Sequence, residues 1–151
     1  MKLDTKKLKT ITLLYVEDDE LIARSTMGIF KKFFNKIIYA KNGLEGLNKF
    51  NENHIDLIFT DINMPNLNGL DMLKKIQELD KNVPAVIMSA HKELDYYQNA
   101  IELNVAGYIV KPTAISDLID KLDKIVTIKK EDEIKTNKFN FLVEANKKLI
   151  D

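Results

Sequence analysis

The chain has 151 residues, a length suited to one domain with room for one extra element, and its 23 Lys plus Arg equal its 23 Asp plus Glu. That balance gives no global basic field for nucleic acid or an anionic membrane, so direct binding of either is not expected. Without cysteine there is no disulfide or thiolate chemistry, and no apolar stretch approaches the roughly 20 residues that span a bilayer.

Residues 1–10 (MKLDTKKLKT) form a basic lead without the apolar core of a signal peptide, so the expected location is the cytoplasm. From residue 11 to 128 short β-rich runs alternate with stretches of helical period, the pattern of an α/β protein. The expected strands are 11–16, 37–40, 55–60, 84–88 and 106–110, and the expected helices 20–34, 43–52, 68–80, 93–103 and 114–128. All the strand runs but the second are apolar almost throughout, as in parallel strands covered on both faces. The second is short and suits an edge. Right-handed crossovers then require an open sheet with helices on both sides. Asn42-Gly43 and Asn68-Gly69 are turn or cap signals, whereas Gly46, inside a helix, costs about 1 kcal/mol relative to alanine.

Residues 129–151 read as a separate tail. KKEDEIKTNK is charged, and beyond it Phe139, Leu142, Val143, Asn146, Leu149 and Ile150 recur at helical spacing, which predicts a short amphipathic helix. It is either an appendage packed on the domain or a frayed end, or else a partner-binding or self-associating helix.

Four strand ends carry polar groups. Glu17 and Asp18 follow ITLLYV, Asp61 follows IDLIFT, Ser89 follows PAVIM and Lys111 follows AGYIV. In open α/β sheets ligands bind outside the carboxyl ends of the strands, so these groups are expected at one edge. Three carboxylates there repel one another and raise each other's pKa unless a cation intervenes. Mg2+ suits the set, since it takes a few oxygen ligands, keeps waters and can also hold a phosphate oxygen; the main-chain carbonyl of Asn63 is within reach. Asp61 can then act as a nucleophile on phosphorus, Lys111 neutralising phosphoryl charge and Ser89 donating a hydroxyl. Taken singly, acids after the first strand can cap a helix, and Ser89 and Lys111 can be ordinary cap and surface residues. His91 could stand at the mouth of the site or simply face solvent.

These residues resemble the receiver domain of two-component response regulators. The resemblance covers about residues 10–128 and rests on VEDD at 16–19, TDINMPNLNGLDML at 60–73, MSA at 88–90 and GYIVKP at 107–112. It implies a flavodoxin-like five-stranded parallel sheet in the order 2-1-3-4-5. It further implies that Asp61 accepts a phosphoryl group from a sensor histidine kinase, a phosphotransfer protein or a small donor. By the same resemblance, Glu17, Asp18, Asp61 and the Asn63 carbonyl hold Mg2+. Lys111 contacts the phosphoryl, and its bond to Pro112 is often cis in relatives. Ser89 and Tyr108 form a switch pair, and Asn63 and His91 tune dephosphorylation. Ser89 stands where threonine is commoner, and Gly46 where alanine is usual.

The expected role is a phosphorylation-dependent switch for an output protein or domain, through the face of helix four, strand five and helix five. That face and the tail are the two surfaces on which a homodimer could form. Two other readings remain: an Mg2+-dependent phosphohydrolase, though Asp61-Ile62-Asn63 lacks the second acid of such enzymes, and a receiver-like module that never cycles.

Overall fold

The structure is a computed structural model that describes residues 6–80, 82–90, 94–111 and 113–150, with side chains for all of these except 94, 95, 97 and 148–150. His91 and the Lys111–Pro112 bond therefore lie outside the described residues. A 3-10 turn at Leu8–Thr10 leads into β1 (Thr12–Val16), α1 (Glu20–Phe30), β2 (Lys36–Ala40), α2 (Gly43–Glu52), β3 (Leu57–Thr60), α3 (Gly69–Leu79), β4 (Ala85–Ser89), α4 (Leu94–Glu102), β5 (Gly107–Val110) and α5 (Ile115–Ile150). All strand pairs are parallel, in the order β2-β1-β3-β4-β5. The short second run is an edge strand, as its composition suggested.

Alternate residues of each strand face opposite layers, and each layer is a separate core. On one side Leu13, Tyr15, Leu57, Phe59, Val86 and Ile109 meet Ala23 and Phe30 of α1 and Leu118, Ile119, Leu122 and Val126 of α5. On the other, Leu14, Val16, Ile58 and Ile87 meet Leu70, Leu73 and Ile76 of α3 and Ala100 of α4. Burying each such side chain contributes about 1.5–3 kcal/mol, so the sheet is fixed from both faces. The basic lead is not idle, since Leu8 is fully buried in the first of these cores.

Three boundaries differ from the sequence expectation by two residues or more, each for a local reason. Strand three begins at Leu57 rather than 55 because the Asp56 carboxylate takes the Thr12 N–H at 2.8 Å, a side-chain bond in place of a ladder bond. Helix one stops at Phe30 rather than 34 because Phe33 and Phe34 N–H both turn back to the Phe30 carbonyl, at 2.9 and 2.8 Å. That tight turn drops Phe34 into the core. Helix five does not stop at 128: the charged tail continues it without a break to Ile150.

Candidate functional site

Local chemistry brings the acids together. The first helix is capped by Asp19, whose Oδ1 accepts from the N–H groups of Leu21 and Ile22 at 3.0 and 3.1 Å. The capping role that acidic residues take at a helix start thus falls to the third acid of the Glu17-Asp18-Asp19 run. Glu17 and Asp18 are left to face Asp61 across the β1–β3 pair, and one oxygen of each lies within 4.8 Å of the others. The register sets this proximity, since Val16 pairs with Thr60, the residue before Asp61.

The three carboxylates differ in environment. Glu17 is buried, Asp61 half-buried and Asp18 exposed. Burial pushes the Glu17 carboxyl up from 4.5 to about 7, Lys111 pulls it back and Asp61 pushes it further. Among the described residues Lys111 is the cation beside them, with Nζ 3.4 Å from Asp61 Oδ2 and 3.8 Å from Glu17 Oε2. Asp61 Oδ1 accepts the Ile62 N–H at 2.7 Å, so the carboxylate is held by one oxygen and turns the other toward the lysine.

Backbone approach fixes the loop after Asp61. Gly69 N–H donates to the Ile62 carbonyl at 2.8 Å, and a Cβ at Gly69 would stand 2.0 Å from the Asp61 carbonyl oxygen. Only glycine allows this closure. On the same loop Leu67 presents its carbonyl to the Gly43 N–H at 3.1 Å. Asn42 and Asn68 cap their helices, accepting from Glu45 and Asp71 N–H, each at 2.8 Å. The Asn-Gly pairs were legible as caps, but their part in clamping the acidic loop was not, because it depends on long-range packing.

The remaining expected residues are placed as follows. Ser89 is fully buried at the end of β4, and its carbonyl accepts the Lys111 N–H at 2.8 Å. Tyr108 is half-buried in the α3/α4 core and pairs directly with Ile87, while Ser89 pairs with Val110. Asn63 is exposed, and its Oδ1 accepts from Tyr96 of α4 at 3.4 Å. Sequence reasoning missed two groups. Tyr39, in the edge strand, donates its hydroxyl to the Glu17 carbonyl at 2.6 Å. Behind the acids, Tyr15 packs edge-on to Phe30 and tilted against Phe59, with centroids 5.7 Å apart in both pairs. Neither carries a motif, since both look like ordinary strand aromatics.

The response regulator receiver domain model matches residues 13–123. Chemotaxis protein CheY-3 of Vibrio cholerae is 33% identical over 120 residues, 78% of this chain and 92% of that protein. Sporulation initiation phosphotransferase F of Bacillus subtilis is 30% identical over 117 residues, 78% of this chain and 94% of that protein. Among solved structures, the N-terminal domain of a Wolinella succinogenes protein superposes with a TM-score of 0.75 at 33% identity, covering 81% of this chain and 98% of that one. The chain therefore belongs to the receiver domain family of two-component response regulators. Its members are phosphorylation-based signalling modules rather than conventional enzymes, are paired with histidine kinases or phosphotransfer proteins, and bind Mg2+ at an acidic pocket. Among the described residues no helix is long and apolar enough to cross a membrane.

Proposed function

We propose that Asp61 is the phosphoacceptor of this chain and that its phosphorylation switches partner binding. The observation that carries this reading is the meeting of Asp61 with Glu17 and Asp18 on one side and Lys111 on the other. An ionised carboxylate needs no base to attack phosphorus. The Asp61 oxygen turned toward Lys111 forms the new P–O bond as the donor's P–N bond (phosphohistidine) or P–O bond (acetyl phosphate) breaks. The freed imidazole or acetate leaves, and hydrolysis of the aspartyl phosphate later restores the carboxylate.

Glu17, Asp18, Asp61 and the Asn63 carbonyl are the residues to hold Mg2+, and hard carboxylate oxygens are the donors that ion takes. When bound it neutralises the crowded acids and the phosphoryl oxygens. Lys111 holds the phosphoryl through charge. Ser89 and Tyr108 form the switch: the serine hydroxyl gains a phosphoryl contact only in the active conformer, so phosphorylation shifts the population toward it. Asn63 and His91 tune dephosphorylation. We assign the signalling unit to residues 11–128 and treat 129–151 as an extension. The setting is the cytoplasm, opposite a sensor histidine kinase or phosphotransfer protein, with an output protein or domain downstream.

Incubation with Mg2+ and acetyl phosphate, read by intact mass, tests this. One added phosphoryl group is expected, and it is lost in Asp61→Asn and in chelator-treated protein. Undiminished gain by Asp61→Asn overturns the assignment, and turnover of a phosphate ester would favour a phosphohydrolase instead.

A further inference from the structure

Among the described residues Val126 is the last of α5 buried in the core. Lys129, Lys130 and Glu133 still line the rim of the domain beside Ile11, Asp56 and Pro84, Lys130 Nζ donating to Thr10 Oγ1, and from Ile134 onward the helix projects beyond the sheet. The face that carried Leu118, Ile119, Leu122 and Val126 continues as Glu133, Asn140 and Glu144. Where the sheet ends, that face becomes polar. Apolar side chains move to another face, about 130° round the helix at 100° per residue. Ile134, Phe141 and Leu142 lie there, 54%, 73% and 59% exposed, whereas Phe139, 66% exposed, falls on the opposite side of the helix. A projecting helix with such a face is marginal alone in water, and contiguous exposed apolar surface marks an interaction site.

The shape and charge of this stretch fit a second copy of the chain. Ile134, Asn137, Lys138 and Phe141 line a depression with Leu142 at its rim. Positions i, i+3, i+4 and i+7 are the four-residue hole that receives a knob from a facing helix. Charges flank the apolar residues asymmetrically: Glu131, Asp132 and Glu133 precede them and Lys147 and Lys148 follow, while Lys129 and Lys130, just before the acids, sit at the rim of their own core, Lys130 Nζ donating to Thr10 Oγ1. A parallel, in-register partner would set acid beside acid and lysine beside lysine. An antiparallel partner sets the acidic run against the lysines at both ends, and brings Lys138 of each copy over the Phe141 ring of the other.

We propose that the chain forms an antiparallel two-fold dimer through residues 129–150, the Phe141–Leu142 step of each copy seated in the depression between Ile134 and Phe141 of the other. The receiver cores then lie at opposite ends of the helix pair, on outward faces. The pairing uses none of the acidic-site residues, so it stands or falls apart from phosphorylation.

Sedimentation equilibrium of the full chain at micromolar concentration is expected to give twice the 17.4 kDa chain mass. Phe141→Asp should yield a monomer with unchanged far-ultraviolet circular dichroism for the receiver core and an unchanged phosphoryl gain. Glu131→Lys and Lys148→Glu should each weaken the dimer about fivefold, and the double reversal should restore it. A monomeric parent chain, a dimer indifferent to Phe141→Asp, or a double reversal weaker than either single change would overturn the proposal.

Discussion

Glu17 is the residue on which the site's electrostatics turn. Its folded pKa, about 7, lies above the unfolded 4.5, so folding favours the protonated form. Without metal, the contribution of this group to stability is full below about pH 4.5 and is lost as pH rises through 7, a change of about 3 kcal/mol. Mg2+ needs the ionised carboxylate, so its binding should release a proton below pH 7 and tighten as pH rises. Urea denaturation of metal-free protein between pH 4.5 and 8 should show the decline, and Glu17→Gln should remove most of it. A Gln variant with the parent's slope would mean that Glu17 is not the buried acid responsible. At this scale the sequence was most informative. Asp61, Glu17, Asp18 and Lys111 announced themselves by standing at the ends of apolar runs, and the register then brought them together. Tyr39 gave no such sign, because a hydroxyl's reach to a carbonyl in the next strand leaves no trace in the order of residues.

At the scale of elements, Gly46 corrects the sequence reading most sharply. Inside α2 it reads as a defect that alanine would repair by about 1 kcal/mol. In the structure a Cβ there would stand 2.6 Å from Met72 Sδ and 3.1 Å from Val16 Cγ2, and both residues are fully buried. Overpacking costs about 1–3 kcal/mol, which outweighs the gain in helix propensity. Gly46→Ala should therefore lower stability by about 1 kcal/mol in urea melts; a gain of similar size would show that Met72 swings aside freely. The end of α5 was misjudged for a different reason. Residues 129–138 hold a single apolar residue, Ile134, so a search for apolar period finds nothing. Yet no glycine or proline interrupts the chain from 113 to 151, and lysine and glutamate are good helix formers. Propensity carried the helix onward where periodicity was silent.

Over the whole molecule the α/β alternation was enough to predict a doubly wound sheet, and the strand order came from the family resemblance. The family match ends at residue 123 while α5 runs to Ile150, so the extension is where this chain differs from a minimal receiver. Its pairing would join two receiver cores without covering either acidic site. The acidic site itself lies where the carboxyl ends of β1 and β3 meet, with α1 and the loop after Asp61 fixed by caps and by Gly69. Phosphorylation at that point could reach β4 and β5 through Lys111, whose N–H is bonded to the Ser89 carbonyl at 2.8 Å. The signalling role, unlike the tail pairing, rests on Asp61 being the residue that carries the phosphoryl group. The most direct test is to phosphorylate with Mg2+ and acetyl phosphate, reduce the acyl phosphate with borohydride, and map the peptides by tandem mass spectrometry. Reduction converts a phosphorylated aspartate to homoserine, and the account predicts homoserine at residue 61 alone. Homoserine at Asp18 or Asp19, or none despite a mass gain, would contradict it.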